Sequence, residues 1–233
     1  MEKVERFKYF GEGLFETFKV KGGKLPPHFE YHYERLKEGA LFLNIPHPTF
    51  EEFKTFTEER INFTKNSEKP FYVKVLLLSL GSGYYGDLPD SYSLEIVIKP
   101  LRLPPKNLTL TVSNFKRCSF NPLWRFKTTS FLFNVLVKRE ALKRGFYDAI
   151  VLNERGNVTE TSSANFYCLR DGVLLTPPVS EGLLPGVTRR VLLESGKARE
   201  EVLPIGKLSK CEKFFISNAL LGLREVTLVL EQT

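Results

Sequence analysis

A strongly apolar run over residues 71–80 (FYVKVLLLSL), broken by Lys74 and stopped by Gly81-Ser82-Gly83, sets the first constraint on the fold. Its length is that of a strand and well short of a membrane span, and the glycines that follow punctuate it as a turn. Before it, residues 14–20 have the aromatic and β-branched content of a second strand. The segment Lys21-Gly22-Gly23-Lys24 reads as a hairpin-type turn, so a β-hairpin is expected to open the fold. Between these strands the period changes. Phe29, Tyr33, Leu36, Ala40 and Leu43 recur at spacings of three and four, which predicts an amphipathic helix over 28–43 that Pro46 and Pro48 end. Phe50, Phe53, Phe56 and Ile61 repeat the pattern over 49–63. After Asp87-Leu88-Pro89-Asp90 come two further strands, 93–99 and 108–115.

The first part of the chain therefore reads as a small α+β domain, residues 1–115, joined by a linker at 116–121 to a larger α/β domain, 122–233. In the latter a helix spans 130–144, with Gly145 as its C-terminal cap. Strands follow at 146–152 and 165–169, with turns at Glu154-Arg155-Gly156-Asn157 and Arg170-Asp171-Gly172. A further helix begins after Pro185-Gly186 and runs to Ser195. Strands at 213–216 and 225–230 close the chain. The overall class is α/β.

The formal net charge of +7 raises the question of nucleic acid. Its lysines and arginines alternate with glutamates, as in Lys138-Arg139-Glu140 and Arg199-Glu200-Glu201, and such runs are solvated faces; no nucleic-acid partner is expected. An anionic small ligand suits the charge better. The three cysteines, Cys118, Cys168 and Cys211, are odd in number and form no C-x-x-C pair, which points to a reducing compartment. The start of the chain, Met1 to Arg6, carries no apolar signal core and no run is long enough to span a membrane, so a cytoplasmic location without a membrane partner is expected. His28 and His32 have a metal-ligand spacing on the first helix. With no carboxylate or cysteine partner evident they read as ordinary helix residues, and no metal site is expected.

The most chemically suggestive stretch is 121–130 (NPLWRFKTTS). Lys127 lies between Trp124 and Phe126 on one side and Phe131, Leu132 and Phe133 on the other, with small hydroxyl residues between. Partial desolvation disfavours the ammonium and favours a nucleophilic amine, the condition of a Schiff-base lysine. The commoner arrangement lays the stem along apolar neighbours and keeps the charge in water. Further on stand residues 157–166 (NVTETSSANF), then Thr176-Pro177-Pro178, then residues 181–189 (EGLLPGVTR). Near the start are residues 11–17 (GEGLFET) and 32–36 (HYERL). These motifs, in this order and over nearly the whole chain, resemble the class IV (fold type IV) pyridoxal-phosphate enzymes, which include branched-chain and D-amino-acid aminotransferases and 4-amino-4-deoxychorismate lyase.

The resemblance implies a D-amino-acid aminotransferase-like fold, pyridoxal 5'-phosphate as cofactor, and a homodimer. It implies that Lys127 holds the cofactor and moves the substrate proton, and that Glu160 pairs with the pyridine nitrogen. It assigns the phosphate to Arg35, to Val187 and Thr188 at a helix start, and to the Asn218-Ala219 loop. A helix N-terminus suits an anion and arginine a planar contact, although Thr188 also reads as a plain cap and Arg35, beside Glu34 and Lys37, as a solvated face.

Three details resemble the lyases more than the aminotransferases: Thr17 near the cofactor, Lys74 in the substrate pocket, and the loop Ser217-Asn218-Ala219-Leu220. Phe131 stands where many aminotransferases have a tyrosine. Against this, Leu80, Tyr84 and Tyr85 replace two arginines and a glycine of the lyase loop, leaving Lys74, Tyr85, Arg125 or Arg224 to meet an anionic amine substrate that carries two carboxylates. The lyase reaction on 4-amino-4-deoxychorismate is the expected activity. A branched-chain or D-amino-acid aminotransferase, and a non-catalytic binding protein, are the alternatives.

Overall fold

The computed structural model describes residues 4–230, so the reading of Met1, Glu2 and Lys3 lies outside the described residues. The chain divides into two compact units: residues up to Leu103 together with Phe126–Ser130, and Pro104–Arg125 together with the residues from Phe131 on.

The first unit contains helix α1 (Arg6–Phe10), strand β1 (Gly13–Val20), helices α2 (Phe29–Phe42) and α3 (Phe50–Ile61), and strands β2 (Phe71–Gly81) and β3 (Pro89–Pro100). The strands form one antiparallel sheet in the order β1-β2-β3. The expected opening hairpin is corrected here. A turn does form, with a bridge between Lys21 and Lys24, but β1 pairs with β2, Gly13 opposite Leu78 and Val20 opposite Phe71. Pro26 and Pro27 follow the turn, and a proline cannot donate to a ladder, so the chain turns into α2 instead.

Alternation then sorts β1 into two faces. Leu14, Glu16 and Phe18 meet the helices: Phe18 packs edge-on against Phe29 at 5.4 Å and against His32 at 5.2 Å, and Phe29 stacks on Phe53 of α3 at 5.3 Å. Helix α3 starts on a full capping box, the Thr49 hydroxyl accepting from the Glu52 amide and the Glu52 carboxylate from the Thr49 amide.

Residues 126–130 dock onto the edge of β1. The Phe15 amide donates to the Lys127 carbonyl at 2.9 Å, the Thr129 amide to the Gly13 carbonyl at 2.8 Å, and the Thr129 hydroxyl to the Gly11 carbonyl at 2.8 Å. Gly11 caps α1 at φ 67°, and a Cβ there would stand 2.2 Å from Ser130 Oγ, so the docked segment requires glycine.

The second unit holds strand β4 (Thr109–Arg117), helix α4 (Leu132–Lys143), strands β5 (Asp148–Asn153), β6 (Val158–Thr161), β7 (Asn165–Arg170) and β8 (Val173–Thr176), helix α5 (Val187–Glu194), and strands β9 (Ala198–Glu200), β10 (Lys213–Asn218) and β11 (Gly222–Leu228). Their order is β10-β11-β4-β5-β6-β7-β8-β9, and β10 also pairs with β7. Six strands thus close on themselves around a core that includes Leu110, Ile150, Val158, Phe166, Leu175, Ile216 and Val226. Helix α4 adds a smaller core of Val137 and Ala141 against Ala149 and Val151 of β5.

Two expectations shift. The expected boundary at 116–121 moves to the other side of β4, because β4 pairs in parallel with β5 and β11 and so lies inside the second unit. Cys168 and Cys211 are not free thiols but a disulfide, with Cα atoms 5.6 Å apart, which removes the cysteine argument for a reducing compartment. The pairing of β7 with β10, Phe214 opposite Cys168, brings them together across 43 residues, a closeness that spacing does not reveal. Among the described residues no helix is long and apolar enough to cross a membrane.

Candidate active site

In the first unit Lys127, Phe15, Thr17 and Lys74 converge. Lys127 Nζ lies 4.5 Å and Lys74 Nζ 3.8 Å from the centre of the Phe15 ring. Thr17 is the cross-strand partner of Lys74, so both side chains leave the sheet on the face that Phe15 shares. Burial pushes the Lys74 ammonium below its ordinary pKa. It also pushes the Tyr72 hydroxyl up, against a hydrogen bond with Thr17. Phe126, beside Lys127, stacks on Phe42 of α2 at 4.5 Å.

Arg35 stands in the helix-covered interior of the same unit. Its Nε donates to Glu16 Oε1 at 2.8 Å and its Nη2 to Glu16 Oε2 at 2.7 Å, while His32 Nδ1 meets Oε2 at 2.6 Å. Burial alone would raise the Glu16 carboxyl, but Arg35 and His32 outweigh it and bring it down to about 2. His32 is therefore a partner of Glu16. His28 precedes α2 in a left-handed conformation at φ 58°, and no metal-ligand cluster occurs among the described residues. Tyr85 is 87 % exposed, on the loop between β2 and β3.

The second unit presents Glu160 on β6, buried at 6 % exposure. Its Oε1 accepts from Arg117 Nη1 at 2.5 Å and from the Leu184 amide at 3.3 Å; its Oε2 accepts from Asn165 Nδ2 at 3.2 Å. Asn165 Nδ2 also donates to the Leu184 carbonyl at 2.8 Å. A Cβ on Gly186 would stand 2.0 Å from Asn165 Oδ1, so the approach to α5 is pinned against β7 and needs glycine. That helix begins at Val187 and Thr188 with no side-chain cap, leaving its first-turn amides and dipole available to an anion. Asn218 ends β10. Its Oδ1 accepts from the Leu220 and Leu221 amides at 3.0 and 2.9 Å and its Nδ2 donates to the Ser163 carbonyl, so this side chain shapes the loop through Ala219. Arg125 is exposed at the end of a short 3-10 turn, Pro122–Arg125, and Arg224 lies half-buried on β11 opposite Ile216.

The structure thus groups Lys127, Thr17 and Lys74 in one unit, with Arg35 on Glu16, and Glu160, Val187, Thr188, Asn218 and Ala219 in the other. Three functional candidates escaped the reading of the sequence. Glu16 sat unremarked in the GLFET segment, Asn165 in the SSANF segment, and Arg117 in the stretch 116–121 that reads as a linker. In chemical terms the second unit offers a buried carboxylate as acceptor, with uncapped helix amides and the Thr188 hydroxyl as donors, a set suited to a phosphorylated pyridinium ring. The first offers two lysines on an aromatic face.

Comparison with known proteins bears on the family. The family described as Amino-transferase class IV matches residues 13–229. A branched-chain-amino-acid aminotransferase of Escherichia coli strain K12 is 26% identical over 229 residues, covering 90% of this chain and 73% of its own length. An aminodeoxychorismate lyase of Vibrio harveyi is 27% identical over 236 residues, covering 96% and 85%. Among solved structures, one named "Putative 4-amino-4-deoxychorismate lyase" from Legionella pneumophila superposes with a TM-score of 0.89 at 27% identity, covering 98% of this chain and 87% of that one. With its fold, its motifs and nearly its whole length matched, this chain belongs to the class IV aminotransferase family.

Proposed function

We propose that the protein is a pyridoxal-phosphate-dependent lyase that converts 4-amino-4-deoxychorismate to 4-aminobenzoate and pyruvate. The observation that carries this reading is the pairing of Thr17 with Lys74 across β1 and β2, with Lys74 and Lys127 on the same Phe15 ring. Those are the positions at which the chain resembles the lyases more than the aminotransferases. The cofactor, when bound, supplies an electron sink for the carbon that carries the substrate amine. Glu160 would accept from its ring nitrogen, the α5 amides with Thr188 and the Ala219 loop would receive its phosphate, and Arg35, held by Glu16, would add a cation.

Lys127 would hold the cofactor, and its ε-amine, once free, would take the proton from the amine-bearing carbon. The carbon–oxygen bond to the enolpyruvyl group then breaks and the ring becomes aromatic. The departing enolate takes up a proton on carbon and becomes pyruvate, so substrate and products balance without a further reactant. Thr17 assists a proton transfer, and Lys74, with Arg125 or Tyr85, meets the substrate carboxylates. The active form is a homodimer.

A second reading, a class IV aminotransferase for branched-chain or D-amino acids, is favoured by the loop before β3, where Tyr84 and Tyr85 are exposed and no arginine replaces those of the lyase loop. It uses the same Lys127 and Glu160 but needs a 2-oxo acid as second substrate.

The test loads purified protein with pyridoxal phosphate, adds aminodeoxychorismate, and assays both products, with Lys127→Ala as control. Equimolar 4-aminobenzoate and pyruvate, absent from the control, are expected, and Thr17→Val should keep the cofactor while losing turnover by about a hundredfold or more, the usual weight of a proton-transfer group. No release from the loaded enzyme, together with amino-group transfer to a 2-oxo acid, overturns the lyase reading.

A further inference from the structure

The Glu160 carboxylate needs a cationic partner where it is buried, and the structure supplies an unusual one. Arg117 ends β4 at 2 % exposure. Its guanidinium carbon lies 4.6 Å from the Trp124 ring centre and 5.3 Å from that of Phe133, so two aromatic faces hold the fork in place. Among the described residues its hydrogen bonds run through Nη1, to Glu160 Oε1 at 2.5 Å and to the Gly182 carbonyl at 3.3 Å. Its Nε is buried with no hydrogen-bond partner among the described residues. A buried guanidinium fork and a carboxylate side by side ordinarily close a two-bond pair; here the approach is end-on, and an N–H is left unsatisfied to keep it so.

The consequence falls on the two oxygens of Glu160. Oε1 is taken by Arg117 and the Leu184 amide. Among the described residues Oε2 has one donor, Asn165 Nδ2 at 3.2 Å, and a carboxylate oxygen accepts two. We infer that Arg117 is a positioning residue: clamped between Trp124 and Phe133, it occupies Oε1 and so fixes Oε2 as the oxygen that faces the ring nitrogen of the cofactor. This rests on the assignment of Glu160 under the proposed function. Asn165 completes the clamp, because the same amide nitrogen ties Oε2 to the Leu184 carbonyl two residues before the glycine that caps α5.

The experiment is a double-mutant cycle on Arg117→Gln and Glu160→Gln, reading pyridoxal-phosphate dissociation and the pH dependence of the visible absorption band of the lysine-bound cofactor. Arg117→Gln alone is expected to weaken cofactor binding by about 10- to 100-fold, the range for a partner behind a directly bound group, and to displace the pH midpoint of the band. In the Glu160→Gln background it should change neither further. Arg117→Lys keeps the charge without the planar fork and should restore only part of the loss. Trp124→Leu, at a half-exposed position, removes one face of the clamp without touching Glu160 and should shift the band in the same direction by less, which keeps the inference testable if Arg117→Gln fails to fold. If Glu160→Gln itself leaves band and affinity unchanged, the assignment of Glu160 fails. If Glu160→Gln acts but the Arg117 and Trp124 substitutions leave the band in place, or add to it independently, Arg117 does not act through Glu160 and this inference is overturned.

Discussion

Glu16 in the first unit and Glu160 in the second are both buried carboxylates paired with a buried arginine, yet they differ in what remains to them. Glu16 meets Arg35 through two bonds, one to each oxygen, and Oε2 also takes His32 Nδ1. Its side chain is fully buried against the helices. Glu160 meets Arg117 through one nitrogen and keeps acceptor capacity on Oε2. The first arrangement is a closed joint between β1 and α2: both Glu16 oxygens are engaged and Arg35 is held in one orientation. The second is an open one. Whether the fork closes on both oxygens thus decides how much acceptor capacity the carboxylate keeps, and the closing is decided by the neighbours. Around Arg35 there is His32 to complete the set, whereas around Arg117 two aromatic rings hold the guanidinium off.

The contrast breaks most easily at Glu16. Glu16→Ala leaves a buried guanidinium and imidazole without their acceptor and should cost about 3–5 kcal/mol of folding stability, read from urea unfolding. Glu160→Gln keeps an oxygen for Arg117 and should cost clearly less stability while weakening cofactor binding. Equal stability losses would erase the distinction.

A smaller effect follows from pH. The Glu16 carboxyl, ordinarily at 4.5, is brought down to about 2, so its contribution is complete above about pH 4.5 and is lost as the pH falls toward 2. The expected fall in stability over that interval is on the order of 3 kcal/mol. Glu16→Gln should flatten that limb; an unchanged acid limb in the variant would show that other carboxylates control it.

How much of this was legible in the residues depends on range. The helices α2 and α3 announce themselves through local period, and their bounds, Phe29–Phe42 and Phe50–Ile61, fall inside the expected spans. Strand β2 is equally plain from its apolar run. The partner of β1 is not, because Lys21-Gly22-Gly23-Lys24 has the residues of a hairpin turn and the prolines after it argue the other way only once strand pairing is considered. Strands β6, β8 and β9 have three or four residues each, too few for alternation to rise above chance. In the site, Lys127 and Glu160 come from motifs that a resemblance can carry. Arg117 and Glu16 do not, since each is defined by a partner 43 or 19 residues away. The cysteines fail for the same reason: an odd count says nothing about two strands that close a ring.

The second unit has a pH limit of its own, on the opposite side. Tyr167 on β7 is fully buried and hydrogen-bonded to Ser217 of β10 at 2.7 Å, across the pairing that closes the six-stranded ring. Burial pushes its hydroxyl from 10.0 up to about 12, although Ser217 and Arg189 favour the charged form. A group raised in this way contributes fully below about pH 10 and loses its contribution as the pH climbs toward 12, a change of about 2 to 3 kcal/mol. The first unit is thus expected to set the acid limit of stability and the second the alkaline one. Tyr167→Phe separates the two: at neutral pH it removes one hydrogen bond, about 1 kcal/mol, and it should flatten the alkaline limb while leaving the acid limb of Glu16 as it was. Urea unfolding followed from pH 8 to 12 reads both numbers. An alkaline limb that persists in Tyr167→Phe would move that limit to another tyrosine raised by burial, with Tyr147, half-buried just before β5, the first to examine.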